Sequence, residues 1–184
     1  NTGRVVWEHR FNLFQSDVPP HRIGWASPAA DPETGNVYAL SGGAQVIALS
    51  PDGRLLWERS FGEEFAAFTG ARYCLAVASG GYAMATALRA LHVAPGEPVL
   101  SNAFTLAPVP GAIASLGARP VFVEVTEDLT IDLAHLDAQA KATGARVLLL
   151  SHMRGHVCDM EALMAIARAR GLRVVEDCAH TMGA

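Results

Sequence analysis

The pattern of apolar and polar positions changes character between residues 60 and 64. On the N-terminal side, short β-type runs alternate with turn signals. Val37-Tyr38-Ala39-Leu40 and Gln45-Val46-Ile47-Ala48-Leu49 read as strands. Asp31-Pro32-Glu33-Thr34-Gly35 and Ser50-Pro51-Asp52-Gly53 bound them as turns. On the C-terminal side, strand and helix patterns alternate. Strands are expected over Arg72–Val77, Glu97–Ser101, Arg119–Val125, Arg146–Leu150 and Leu172–Glu176. Helices are expected over Tyr82–His92, Thr105–Leu116, Leu133–Thr143 and Met160–Arg170.

Near-continuous apolar strands such as Val147-Leu148-Leu149-Leu150 imply burial on both faces of a sheet. Asp159 can cap a helix whose Leu163, Ile166 and Ala167 share one face, and Gly171 ends it. The expected fold class is therefore α/β, a mostly parallel sheet with flanking helices. A small antiparallel β fragment precedes it. The expected division is residues 1–61 and 62–184.

Composition narrows the function classes. A length of 184 residues allows one domain or two small ones, and 51% hydrophobic with 17% charged residues suits a buried core. A net charge of -4, with scattered arginines, gives no nucleic-acid signal. No apolar run is long enough to span a bilayer. The N-terminus, Asn1-Thr2-Gly3-Arg4, reads neither as a signal peptide nor as a normal start. Cys74, Cys158 and Cys178 lack metal-ligand spacing and suit a reducing compartment, although their number allows one disulfide.

The chemistry concentrates in Val174-Val175-Glu176-Asp177-Cys178-Ala179-His180. This is a strand delivering a carboxylate and an imidazole to its C-terminal end, where open α/β sheets bind ligands. An Asp there can pair with the protonated ring nitrogen of pyridoxal phosphate. Its plainer role is to cap the following turn. Ala78-Ser79-Gly80-Gly81-Tyr82 joins a strand to a helix, so its amides can approach a phosphate. Alone, that pair of glycines more often marks a tight turn. His152 and His156 stand at i, i+4, but Gly155 between them argues for a loop, and no metal is assigned. Cys178 reads as a small packing residue. Lys141, in a polar helix, is the only lysine.

Several segments in order resemble the DegT-type sugar aminotransferases. They are Glu64-Phe65-Ala66-Ala67-Phe68-Thr69-Gly70-Ala71-Arg72-Tyr73, Val77-Ala78-Ser79-Gly80-Gly81, and Ala94-Pro95-Gly96-Glu97-Pro98-Val99-Leu100 with Ala103-Phe104-Thr105. Leu116-Gly117-Ala118-Arg119-Pro120-Val121-Phe122-Val123-Glu124-Val125 and Ser151-His152-Met153-Arg154-Gly155-His156 follow, then Glu176-Asp177-Cys178-Ala179-His180 with Gly183-Ala184. The resemblance runs from about residue 62 to the end. It implies part of the large domain of a fold-type I enzyme that uses pyridoxal 5'-phosphate. Such enzymes are usually cytoplasmic homodimers that transfer an amino group from an amino-acid donor to a nucleotide-linked keto-sugar.

By that resemblance, Gly80 and Gly81 fall at the phosphate site, where Gly81 replaces the family's usual Thr. Leu106 falls where an aromatic ring often stacks on the pyridine. Asp177 falls on the partner of the ring nitrogen, and His180 near the phenolic oxygen. The Schiff-base lysine falls beyond Ala184, so this chain is expected to be inactive by itself, with no catalytic residue assigned.

Gly3-Arg4-Val5-Val6-Trp7-Glu8 returns as Gly53-Arg54-Leu55-Leu56-Trp57-Glu58, an offset of 50 residues, with Phe11 matching Phe61. Residues 2–61 resemble a quinoprotein-like (PQQ-like) β-propeller repeat, about one blade. The alternative is an ordinary meander with a chance Trp repeat. For the whole chain, the alternatives are a scaffold protein built on a propeller, or a sugar dehydratase on the same fold. Joining these two resemblances without a linker suggests a fusion or a misassembled reading frame.

Overall fold

The computed structural model describes residues 3–10, 27–40, 45–77 and 79–182. Phe11, Ala78, Gly183 and Ala184, which belong to segments quoted above, lie outside the described residues. Two compact units divide at residues 78 and 79.

In the first unit, four strands form an antiparallel meander in chain order: β1 (Ala29–Ala30), β2 (Val37–Leu40), β3 (Gln45–Leu49) and β4 (Leu55–Ser60). The ladder pairs Tyr38 with Ala48 and Ala48 with Trp57. The turns form where the sequence placed them. Asp31 accepts hydrogen bonds from the Glu33 amide and the Thr34 hydroxyl. These donors hold its carboxyl below the usual range, Thr34 being the larger cause. Gly53 has φ +84°, and the Trp7 ring lies against it so closely that a Cβ would meet Trp7 Cγ at 2.6 Å. Only glycine fits both the backbone and the packing there. Trp7 Nε1 also donates to the Pro51 carbonyl at 2.9 Å.

Helix α1 (Phe61–Thr69) follows β4 directly, with Ser60 accepting from the Glu63 amide at 3.4 Å and Gly70 closing it in the left-handed conformation. The sequence reading gave this segment no element. Its strand expected over Arg72–Val77 is absent: that segment is irregular. Alternating apolar side chains favour a strand, but a strand also needs a neighbour for its backbone donors and acceptors. No described residue pairs with 72–77.

The second unit is the expected α/β sheet. Its elements are α2 (Gly80–Ala90), β5 (Pro98–Asn102), α3 (Pro108–Ser115), β6 (Arg119–Val123), α4 (Leu133–Thr143), β7 (Val147–Ser151), α5 (Met160–Arg170) and β8 (Arg173–Asp177). All four strands are parallel, in the order β6-β5-β7-β8. Helix ends follow local chemistry. Asp132 accepts from the Ala134 and His135 amides, and Asp159 from the Ala162 amide at 3.0 Å. Pro108, which has no N–H to satisfy, opens α3 three residues later than the sequence pattern suggested.

Alternation along the strands builds two cores. Val99, Val147, Leu149 and Val175 face α2 and α3, whose Met84, Leu88, Val109 and Ile113 cover them. Leu100, Leu148, Leu150 and Val174 face α4 and α5, with Leu136, Ala140, Leu163 and Ala167 above them. The sheet is thus the middle of three layers, which explains its near-continuous apolar strands.

Candidate functional site

The strand order fixes where a ligand can sit. From β5 the chain moves to β6 on one side, then crosses back to β7 on the other. The crevice beyond the carboxyl ends of β5 and β7 is therefore a topological switch point, the usual ligand site of open α/β sheets. The β5–β7 ladder stops at Ser101 and Leu149. Past it, the Asn102 side chain takes over the ladder's role. Asn102 Oδ1 accepts from the Ser151 amide at 2.9 Å, and Nδ2 donates to the carbonyls of Ser151 (3.0 Å) and Phe104 (2.8 Å). Asn102 is buried, so these bonds form away from water and hold the diverging strand ends together.

Ser151 passes this constraint on to Asp177. Its hydroxyl donates to Asp177 Oδ2 at 3.1 Å, while Oδ1 accepts from the Ala179 amide at 3.2 Å. Asp177 thus caps the following turn, as its plainer reading had it. A carboxylate has about four acceptor sites, so two donors leave capacity for a third. Asp177 shares its sheet face with Val175, two residues earlier, which packs with α2 and α3.

The other residues singled out by sequence arrange as follows. Gly80 and Gly81 form the first turn of α2, a helix that touches β8. Ser79 caps that helix, its hydroxyl accepting from the Tyr82 amide at 3.4 Å. Amides of a helix's first turn have no intrahelical acceptor, so those of Gly80 and Gly81 can serve an anion. Leu106 lies between β5 and α3 and is half exposed. His180 Nδ1 accepts from the Arg154 amide at 2.9 Å, which leaves Nε2 as the ring's proton-bearing nitrogen when the imidazole is neutral. Arg154 holds that amide in place with a left-handed φ of 56°.

His152 and His156 flank a short 3-10 turn, Met153–Gly155, as Gly155 between them suggested. His152 is buried and its Nε2 lies 2.9 Å from Glu176 Oε2, while His156 is exposed. One expectation needs correction: Cys178 is exposed rather than packed. Cys74, Cys158 and Cys178 are all unpaired thiols. Burial, and then the charges of Asp159 and Glu176, push the Cys158 thiol up, making it a poor nucleophile at neutral pH.

Sequence reasoning passed over Asn102 entirely and quoted Ser151 only inside a motif. The available signal was polarity at the end of two apolar strands, Ser101-Asn102 and Ser151-His152. The site also fits a polar cofactor. Ser101 Oγ on β5 and Thr105 Oγ1, three residues past its end, are buried without a hydrogen-bond partner, a state that a bound polar group would relieve. Among the described residues, no helix is long and apolar enough to cross a membrane.

The chain is similar to known proteins in sequence and to solved structures in fold. Spore coat polysaccharide biosynthesis protein SpsC of Bacillus subtilis is 38% identical over 125 residues, 67% of this chain and 32% of that protein. UDP-N-acetyl-3-dehydro-alpha-D-glucosamine 3-aminotransferase of Acidithiobacillus ferrooxidans is 36% identical over 68% of this chain and 34% of its own. The solved structure of 3-amino-5-hydroxybenzoic acid synthase is 36% identical, with a TM-score of 0.61 over 65% of this chain and 31% of that one. An aminotransferase structure from Psychrobacter cryohalolentis is 32% identical, also with a TM-score of 0.61, over 67% of this chain and 31% of that one. The chain thus spans about a third of the length of these relatives. Residues 57–184 match the DegT/DnrJ/EryC1/StrS aminotransferase family, whose members depend on pyridoxal phosphate, and the chain belongs to that family.

Proposed function

We propose that the second unit carries part of the cofactor site of a pyridoxal-phosphate-dependent sugar aminotransferase. One observation carries the reading. Asp177 lies on the sheet face that α2 covers, and α2 begins with Gly80 and Gly81. A carboxylate for a pyridinium and a helix N-terminus for a phosphate therefore belong to the same layer of the fold. When bound, pyridoxal phosphate supplies an electron sink for amino-group chemistry. The chain's own residues bind and orient it. Gly80 and Gly81 meet the phosphate, Asp177 holds the ring-nitrogen proton, and Leu106 packs against the ring. His180 donates from Nε2 toward the phenolic oxygen.

The substrates in this reading are an amino-acid donor and a nucleotide-linked keto-sugar, by analogy with the relatives' names. The full-length enzyme would be a cytoplasmic homodimer. By itself this chain performs no transamination. Its only lysine, Lys141, is exposed on α4, the helix on the sheet face opposite Asp177. The four-stranded meander remains compatible with one propeller blade, and we keep that reading for residues 2–61.

The test is a pyridoxal phosphate titration of the chain, followed by borohydride and intact mass. The expected result is saturable, non-covalent binding that Asp177→Asn weakens about tenfold or more, the effect of losing a charged hydrogen bond. A borohydride-fixed adduct on Lys141, or unchanged affinity in Asp177→Asn, would overturn the proposal.

A further inference from the structure

The same strand end that presents Asp177 to one face presents a different set of donors to the other. Glu176, which alternates with Asp177 along β8, and Cys178, the residue just past the strand, flank Asp177. His152, the residue just past β7, follows Leu148 and Leu150, which face that second core. A ring nitrogen of His152, a Glu176 carboxylate oxygen and Cys178 Sγ all lie within 4.8 Å of one another, the one such group of three among the described residues. Its imidazole is 4% exposed and so fixed by packing, while Glu176 and Cys178 are open to solvent.

We infer that His152, Glu176 and Cys178 form a three-ligand site for a thiophilic divalent cation such as zinc. The donor types are those of zinc sites: imidazole nitrogen, carboxylate oxygen and thiolate sulfur. Bond lengths of about 2.0–2.3 Å put tetrahedral ligands roughly 3.3–3.7 Å apart, within a small side-chain adjustment of the observed spacing. His152 and Glu176 already meet at 2.9 Å, so the ion would replace the proton between them. Exposure of the other two ligands gives the ion an entry path and leaves its fourth position to water. The protons balance simply. The Cys178 thiol proton goes to solvent as the S–metal bond forms. The proton between Nε2 and Glu176 is also given up to solvent while Nδ1 takes one up, so that the neutral imidazole binds the ion through its Nε2 lone pair. This site does not depend on the cofactor reading.

The test is titration of the full 184-residue chain with Co2+ under reducing conditions, followed by displacement with Zn2+. Thiolate ligation gives a sulfur-to-cobalt charge-transfer band in the near ultraviolet, which a merely structural His–Glu pair would not produce. The expected result is one bound ion per chain with that band. Cys178→Ser should abolish the band and weaken binding at least about tenfold. Glu176→Gln should keep the band and weaken binding by a similar factor, and Cys74→Ser should change neither. Both ligand positions are exposed, and circular dichroism checks that the variants fold. Absence of the band in the unmodified chain, its survival in Cys178→Ser, unchanged affinity in Glu176→Gln, or its loss in Cys74→Ser would each overturn the assignment.

Discussion

Leu148, Leu149 and Leu163 have no accessible surface, whereas Phe68, Tyr73 and Leu75 are 75%, 78% and 61% exposed. The first three belong to the parallel-sheet unit, the others to the segment that follows the antiparallel meander. Their apolar character is similar, but their surroundings differ. A sheet covered by helices on both faces can bury every second residue on each side. Among the described residues of the antiparallel unit, apolar side chains are fully buried only on β3, at Ile47, Ala48 and Leu49. Hydrophobic side chains therefore have different consequences in the two units, and substitutions can measure the difference.

The largest effect is expected in the middle of the parallel sheet. Leu148→Ala should cost about 2–5 kcal/mol, because the two-sided core cannot collapse into the space left behind. Urea unfolding followed by circular dichroism reads it. A cost below 1 kcal/mol would mean that the core is looser than its burial implies. Asn102→Ala comes next. It leaves the buried Ser151 amide and carbonyl without their partner, at about 1–3 kcal/mol. Hydrogen exchange at the Ser151 amide should quicken with it.

Gly53→Ala tests the antiparallel unit where it is tightest. A Cβ forced against Trp7 at positive φ should cost roughly 1–3 kcal/mol and alter tryptophan fluorescence. Phe68→Ser should stay within about 0.5 kcal/mol, since its ring is already exposed. If it costs as much as Leu148→Ala, the contrast between the units fails. The smallest effect concerns pH. Arg170 donates two hydrogen bonds to Asp137, at 2.7 Å each, and this pairing lowers the Asp137 carboxyl below its ordinary range. A lowered folded value means that the stabilisation is present above the unfolded value and lost as pH falls through the folded one. Asp137→Asn should flatten a small part of the acid limb in thermal melts run from pH 6 down to about 2.

Much of this was legible in the sequence. The helices Leu133–Thr143 and Met160–Arg170 and the strands Val37–Leu40 and Gln45–Leu49 have the boundaries their patterns implied. Strong periodicity and clear caps make such elements nearly local properties. The strand expected at Arg72–Val77 shows the limit, because alternation describes one face of a strand and says nothing of its hydrogen-bonded neighbour. The site was half legible. Asp177 and Gly80 follow from strand ends and helix starts. The Asn102–Ser151–Asp177 chain does not, since it joins residues 49 and 26 positions apart. Only the strand order brings those residues together. The pairing of His152 with Glu176, 24 positions apart, has the same cause.

The alternation at the end of β8 also sets a rule for how this stretch can vary. Glu176 and Asp177 are consecutive letters, but strand alternation places them on the opposite sheet surfaces that Val174 and Val175 face. A pairing slip of one position along β7 would exchange their surfaces and remove Asp177 from Ser151. Insertion or deletion of a single codon between Arg173 and Asp177 should therefore be far less tolerated than most single replacements there. In a library of such variants, survivors should favour two-codon changes over one-codon changes, because only the former return Glu176 and Asp177 to their own sides.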